Sequence, residues 1–233
     1  MKSFLCLWTS LLFFHGFLSM AEEANAPSVA VPSAEDQVSP ISETRDYPSR
    51  LLQAIEDENV DLFLTNVTDP AQIDLADEDG MTPLMLAVEE NLPWYVEKIL
   101  EQKPNLHLKN AAKNDALLLA IYSQNATILK MLLGAGAQCL GLVNGEQQNP
   151  WMIAARNNAD HLIPLLKNHC AADIDMRHPQ TGKTALILAA QKGAIRTYDQ
   201  LLKVPANPKV KDNAGKTASD YMVKWAKPRK KNR

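Results

Sequence analysis

The chain has 233 residues, of which 46% are hydrophobic and 22% charged, with a formal net charge of −3. That is length for one good-sized domain or two small ones, and enough apolar content to exclude a disordered polymer. Function is not legible at this level.

In chain order, the first segment carries Lys2 and then an apolar run of 17 residues from Phe4 to Met20, closing on Ser19-Met20-Ala21. A basic start, an apolar stretch and small residues before a break are the pattern of a secretory signal peptide over 1–21. Cleavage after Ala21 is expected to leave Glu22 as the mature N-terminus, and the protein is expected to be periplasmic or secreted. The alternative is an uncleaved anchor, although the run is at the lower limit for a span. Residues 22–46 follow, with Pro27, Pro32 and Pro40 among Ser, Ala and carboxylates. They show no apolar periodicity to offset the entropy of ordering, so a flexible linker is expected.

From 47 to 226 one pattern recurs. Met81-Thr82-Pro83-Leu84-Met85-Leu86-Ala87 returns as Asn114-Asp115-Ala116-Leu117-Leu118-Leu119-Ala120. It returns again as Gln148-Asn149-Pro150-Trp151-Met152-Ile153-Ala154 and as Lys183-Thr184-Ala185-Leu186-Ile187-Leu188-Ala189. Lys216-Thr217-Ala218-Ser219-Asp220-Tyr221 is a last, shorter copy. Positions 83, 116, 150, 185 and 218 lie 33, 34, 35 and 33 apart. Paired aliphatics, Ile99-Leu100, Leu132-Leu133, Leu165-Leu166 and Leu201-Leu202, keep step with them. A capped apolar segment, a polar break and a second apolar segment predict two short helices and a turn per copy.

These units resemble ankyrin repeats. Asp77-Glu78-Asp79-Gly80-Met81-Thr82-Pro83-Leu84 matches the Asp-x-x-Gly-x-Thr-Pro-Leu signature of that family, and Asp212-Asn213-Ala214-Gly215-Lys216-Thr217 matches its first half. Several copies in register make the resemblance specific. It implies an all-α solenoid of paired short helices with hairpin loops. The units would span about 47–76, 77–110, 111–143, 144–178, 179–211 and 212–226, with a basic tail at 227–233. Segment 49–64 reads as a degenerate N-terminal cap and 214–226 as the C-terminal one. Leu133 and Leu202 are expected in the core between repeats. The third and fourth units depart from the signature. Asp115-Ala116 replaces Thr-Pro, Lys113 and Gln147 stand where hairpin glycines belong, and Pro164 falls in a second helix. Poorly capped, distorted middle units are therefore expected to open first.

The resemblance also implies a non-catalytic module that binds a protein along a concave groove. Carried over by motif position, the groove residues are Glu78, Asp79, Met81, Glu89 and Glu90 in the second unit, then Asn114, Tyr122 and Ser123 in the third. Gln148, Arg156 and Asn157 follow in the fourth, Lys183, Gln191 and Lys192 in the fifth, and Lys216 in the last. Each could equally be a solvated loop or helix-end residue. Charge is polarised along the chain: residues 21–110 hold 19 acids and 5 bases, and residues 111–233 hold 8 acids and 18 bases. The basic tail is either a solubilising end or a contact for an anionic polymer or membrane surface; nuclear targeting fits its letters but conflicts with the leader.

No enzyme is read from the chain, because no phosphate loop, zinc-helix motif or nucleophile elbow occurs. His161, His169, Cys170 and His178 do not share a face at metal-ligand spacing, so no metal is expected. No cofactor, no nucleic-acid partner and a monomer complete the expectations. Cys139 and Cys170 would remain after leader removal. Stacked helices stand about 8–10 Å apart, which argues against a bridge that needs Cα atoms within about 7 Å.

Overall fold

The computed structural model describes residues 49–170, 174–204 and 206–225. The expected leader (1–21), linker (22–46) and basic tail (227–233) lie outside them. Among the described residues the structure is helical with no strand. The helices come in pairs: α1 (Arg50–Glu56) and α2 (Val60–Asn66), α3 (Pro83–Glu89) and α4 (Pro93–Glu101), α5 (Ala116–Tyr122) and α6 (Ala126–Gly134). Then come α7 (Pro150–Arg156) and α8 (Ile163–His169), α9 (Ala185–Lys192) and α10 (Ile195–Lys203), and a terminal α11 (Ala218–Met222). The first helices pack on one another in sequence order from α1 to α11, and the second helices α4, α6, α8 and α10 do the same. This is a solenoid, in which each unit buries its apolar face only against its neighbours.

Each first helix begins where a short polar side chain can accept an orphan N–H. Ser49, Thr82 and Thr184 accept from Leu52, Met85 and Ile187 respectively. Contrary to the expectation of weak caps in the middle, Asp115 accepts from the Leu118 amide and Asn149 from that of Met152. Aspartate and asparagine cap as well as threonine does, so the missing Thr-Pro letters cost little. Behind the caps, Ala87, Ala120, Ala154 and Ala189 are fully buried and let successive first helices approach closely. Leu133 lies in the core, as expected, but Leu202 is 44% exposed and its neighbour Leu201 is the buried one. One residue is a 100° step around a helix, so in α10 Leu202 turns away from the seam that Leu201 fills, whereas Leu132 and Leu133 of α6 are both buried.

Pro164 causes less distortion than an interior proline would. A 3-10 turn, Asp160–Leu162, carries the chain into α8, and the proline sits in the first turn of that helix, where its missing N–H costs no bond.

The hairpin glycines Gly80, Gly182 and Gly215 have φ of 76°, 68° and 73°; Lys113 and Gln147, at the same motif position, adopt 60° and 59°. The hairpin is thus kept in the second through the last unit, at a left-handed conformation that disfavours a side chain. Lys113→Gly and Gln147→Gly are each expected to raise stability by about 0.5–1 kcal/mol, the relief of strain less the entropy that glycine adds to the unfolded chain. Urea midpoints would show it.

Cys139 and Cys170 are joined, against the expectation from helix spacing. Their Cα atoms are 5.1 Å apart. Cys139 is not on a helix: it lies in the connection after α6, which runs back past the C-terminal end of α8, where Cys170 sits. Both are almost fully buried. The helix-to-helix distance was the wrong measure for a loop.

Candidate partner-binding groove

The hairpins between units are pinned from within by one polar side chain each. Asp77 Oδ1 accepts the amides of Asp79 and Met81, Asn110 Oδ1 that of Asn114, Asn144 Oδ1 that of Gln148, and Asp212 Oδ1 those of Ala214 and Lys216. Adjacent hairpins are then tied edge to edge. Ala111 N donates to Asp79 O at 2.8 Å, Gly145 N to Ala112 O at 2.9 Å, and Asn213 N to Thr181 O at 3.0 Å. Between the fourth and fifth hairpins His178 Nε2 meets Glu146 O at 2.9 Å. A Cβ on Gly145 would stand 2.9 Å from Ala112 O, so that approach requires glycine. The result is one row of hairpin tips flanked by the C-terminal ends of α3, α5, α7 and α9.

Along the row, Glu78 and Asp79 are exposed on the second hairpin, and Glu89 and Glu90 are exposed at the end of α3. Tyr122 ends α5 at 37% exposure, and its hydroxyl accepts from Asn144 Nδ2 at 2.7 Å. Burial pushes the Tyr122 phenol up from its ordinary pKa. Ser123 Oγ donates to Ala120 O, and Asn157 O accepts from Gln124 Nε2. Arg156 at the end of α7 is exposed but paired with Glu146 Oε2 at 2.8 Å.

Met81 and Gln148 do not lie on the open face. They are 8% and 7% exposed, and Asn114 is half-buried. All three occupy the residue just before a helix cap, which is packed against the neighbouring hairpin; Asn110 Nδ2 donates to Met81 Sδ. Asn114 Oδ1 and Gln148 Oε1 are buried with no hydrogen-bond partner among the described residues. At the same position in the last two units the residue is lysine, whose long stem carries its charge back out.

Those lysines build the most organised polar cluster of the row. Lys183 Nζ lies 5.9 Å and Lys216 Nζ 5.5 Å from the centroid of the Tyr221 ring, within range of a cation–π contact. Lys183 also donates to Gln191 Oε1 at 2.7 Å, while Lys192 is exposed one residue further along α9. Tyr221 OH donates to Asp212 Oδ2 at 2.6 Å. That bond, with the desolvation and charge around it, raises the Tyr221 phenol above its ordinary range. Burial pulls the Asp212 carboxyl upward, but the bonds from Tyr221 and from the Lys216 and Ala214 amides outweigh it and hold its pKa low. Tyr221 escaped the sequence reading because it was counted only as part of a short terminal copy; its spacing of nine residues from Asp212 carries no motif. Among the described residues no three of His, Cys, Asp or Glu converge as a metal site would require, and no helix is long and apolar enough to cross a membrane.

A family model of ankyrin repeats (three copies) matches residues 51–141 and again residues 117–212. The chain belongs to the ankyrin-repeat family. Among curated relatives of this ankyrin-repeat chain, ankyrin repeat protein nuc-2 of Neurospora crassa is 28% identical over 156 residues, covering 67% of this chain and 14% of that protein. Neurogenic locus notch homolog protein 1 of Homo sapiens is 27% identical over 172 residues, covering 68% of this chain and 6% of its own length. The chain thus spans only a small part of these relatives. Among solved structures, the ankyrin repeat protein EF0377 superposes with a TM-score of 0.70 at 26% identity, covering 76% of this chain and 91% of that one. A chain of the complex between the Bd0816 predatory endopeptidase of Bdellovibrio bacteriovorus and immunity protein Bd3460 gives 0.65 at 30% identity, covering 75% and 91%. The ankyrin repeat domain of Bcl-3 gives 0.68 at 23% identity, covering 74% of this chain and 78% of that one, and shares the fold. Ankyrin repeats are protein-interaction modules.

Proposed function

We propose that this ankyrin-repeat chain is an exported, non-catalytic module that holds a protein partner along the groove lined by its hairpins and first-helix ends. The observation that carries the reading is the single row of hairpin tips, locked edge to edge, whose exposed charges run from Glu78, Asp79, Glu89 and Glu90 to Lys183, Lys192 and Lys216. A partner of reversed charge order would be attracted at both ends and held in one direction. Tyr122, half-way along and already fixed by Asn144, is the anchor expected to hold it once docked. Export rests on the leader pattern, and a buried disulfide agrees with an oxidising compartment. The Bdellovibrio complex joins an endopeptidase to an immunity protein, so an exported peptidase is the first partner class to test.

Capture of a stoichiometric protein from the export compartment, identified by mass spectrometry, tests the reading directly. With the captured partner, the association rate should fall steeply with salt, because the Debye length drops from about 10 Å at 0.1 M to about 3 Å at 1 M. The Glu89→Lys and Glu90→Lys pair should slow association, and Tyr122→Ala should speed dissociation. Rates indifferent to salt and to all three changes would remove the groove. Binding to anionic vesicles that vanishes on deleting 224–233 would instead favour the tail as the working part.

A further inference from the structure

We infer that the C-terminal end of the groove is a carboxylate-recognition subsite, and that the partner presents an acidic segment to it. This rests on the groove reading and names the chemistry it selects. Lys183 and Lys216 come from hairpins of successive units, yet both direct their ammonium groups to the one ring of Tyr221. Two like charges over one ring repel each other, and neither has a carboxylate within ion-pair distance among the described residues. Asp220, near Lys216, is held by Thr217, and Asp212, near Lys183, accepts the Ala214 and Lys216 amides on Oδ1 and Tyr221 OH on Oδ2. Asp212 therefore fixes the ring, and at more than ion-pair distance it offsets only part of the charge of Lys183.

The pieces are also held in place before any ligand arrives. Gln191 holds Lys183, Asp212 holds Tyr221, and the Asn213 amide ties the last hairpin to Thr181 O. A glutamate or aspartate docked beside the Tyr221 ring would add the countercharge that both ammonium groups lack at ion-pair distance, at little cost in ordering the site. Exposed Lys192 extends the same charge along α9 for a second carboxylate. An extended acidic segment matches these positions better than a single ion does, because they lie on two units in a line.

The probe is a fluorescein-labelled, N-acetylated peptide of alternating Glu and Ser, with a Gln-Ser peptide of equal length as control, read by anisotropy on the full mature chain at low salt. The Glu peptide is expected to bind and the Gln peptide not. Lys183→Gln with Lys216→Gln should weaken the Glu peptide about tenfold, the order for two partly exposed ion pairs lost together. Tyr221→Phe keeps the ring but frees Asp212 to pair with the lysines, and should weaken it as well. Lys130→Gln with Lys167→Gln, exposed on the second helices, should leave it unchanged. Equal loss in that control pair would mean diffuse attraction and would overturn the subsite. So would phosphatidylglycerol vesicles competing the peptide off through the same lysines, which would assign the cluster to a lipid surface. If a captured partner feels the Glu89 and Tyr122 changes but not those at Lys183 and Lys216, the groove stands and the subsite falls.

Discussion

Trp151→Ala is expected to lower the unfolding free energy by about 3–5 kcal/mol, the largest effect of any single core truncation in the chain. Trp151 is the bulkiest of the fully buried side chains and sits in α7, in the middle of the stack. Removing it leaves a cavity between units that cannot collapse easily, because alanines already bring the neighbouring helices close together. Its indole Nε1 also donates to Cys170 O at 2.7 Å, so the change orphans a buried carbonyl, which costs about 1 kcal/mol more. A total of this size is a large part of the roughly 5–15 kcal/mol that a domain has to lose. Trp151→Phe keeps most of the volume but not the N–H, and should cost clearly less. Urea denaturation followed by far-UV circular dichroism measures both; a loss below about 1 kcal/mol for the alanine variant would show that the middle of the stack repacks freely.

Reduction of the Cys139–Cys170 bridge should have the next largest effect. The two residues are 31 apart in sequence, and closing a loop of that length in the unfolded chain is worth about 3–4 kcal/mol in the chain-entropy model. The bridge ties the connection after α6 to the end of α8, across the units whose hairpins carry Lys113 and Gln147 in left-handed conformations. The middle of the solenoid, capped by Asp115 and Asn149, is therefore expected to lose stability when the bridge is reduced. Dithiothreitol should lower the melting temperature of the wild-type chain, and the double variant Cys139→Ser with Cys170→Ser should melt at the reduced value with or without it. Hydrogen exchange should rise on reduction in 135–170 before it rises elsewhere. An identical dithiothreitol effect in the double variant, or free alkylation of both thiols in the native chain, would show that the bridge does not carry this stability.

How far the architecture could be read in advance depended on how local its causes are. Thr82-Pro83 and Thr184-Ala185 announce helix starts because a cap needs only the residues beside it, and the 33-residue step announces stacking because no unit can bury its own face. Exposure along the hairpin row was legible by motif position at residues such as Glu78, Asp79, Glu89 and Lys192. It was not legible at Met81 and Gln148, whose burial depends on how closely the next hairpin packs.

What the sequence by itself determined is thus the repeat, the all-helical pairing, the capped starts and the polarity of charge, all of which follow from side-chain type at fixed short spacing. Only the tertiary structure decided that Leu201 rather than Leu202 enters the seam, that Cys139 meets Cys170, and that Lys183, Lys216 and Tyr221 converge. The last two depend on distances of 5 or 6 Å between groups brought together by stacking. Such distances are set by the rotation and rise from one unit to the next, and the side chains of a single repeat do not encode them.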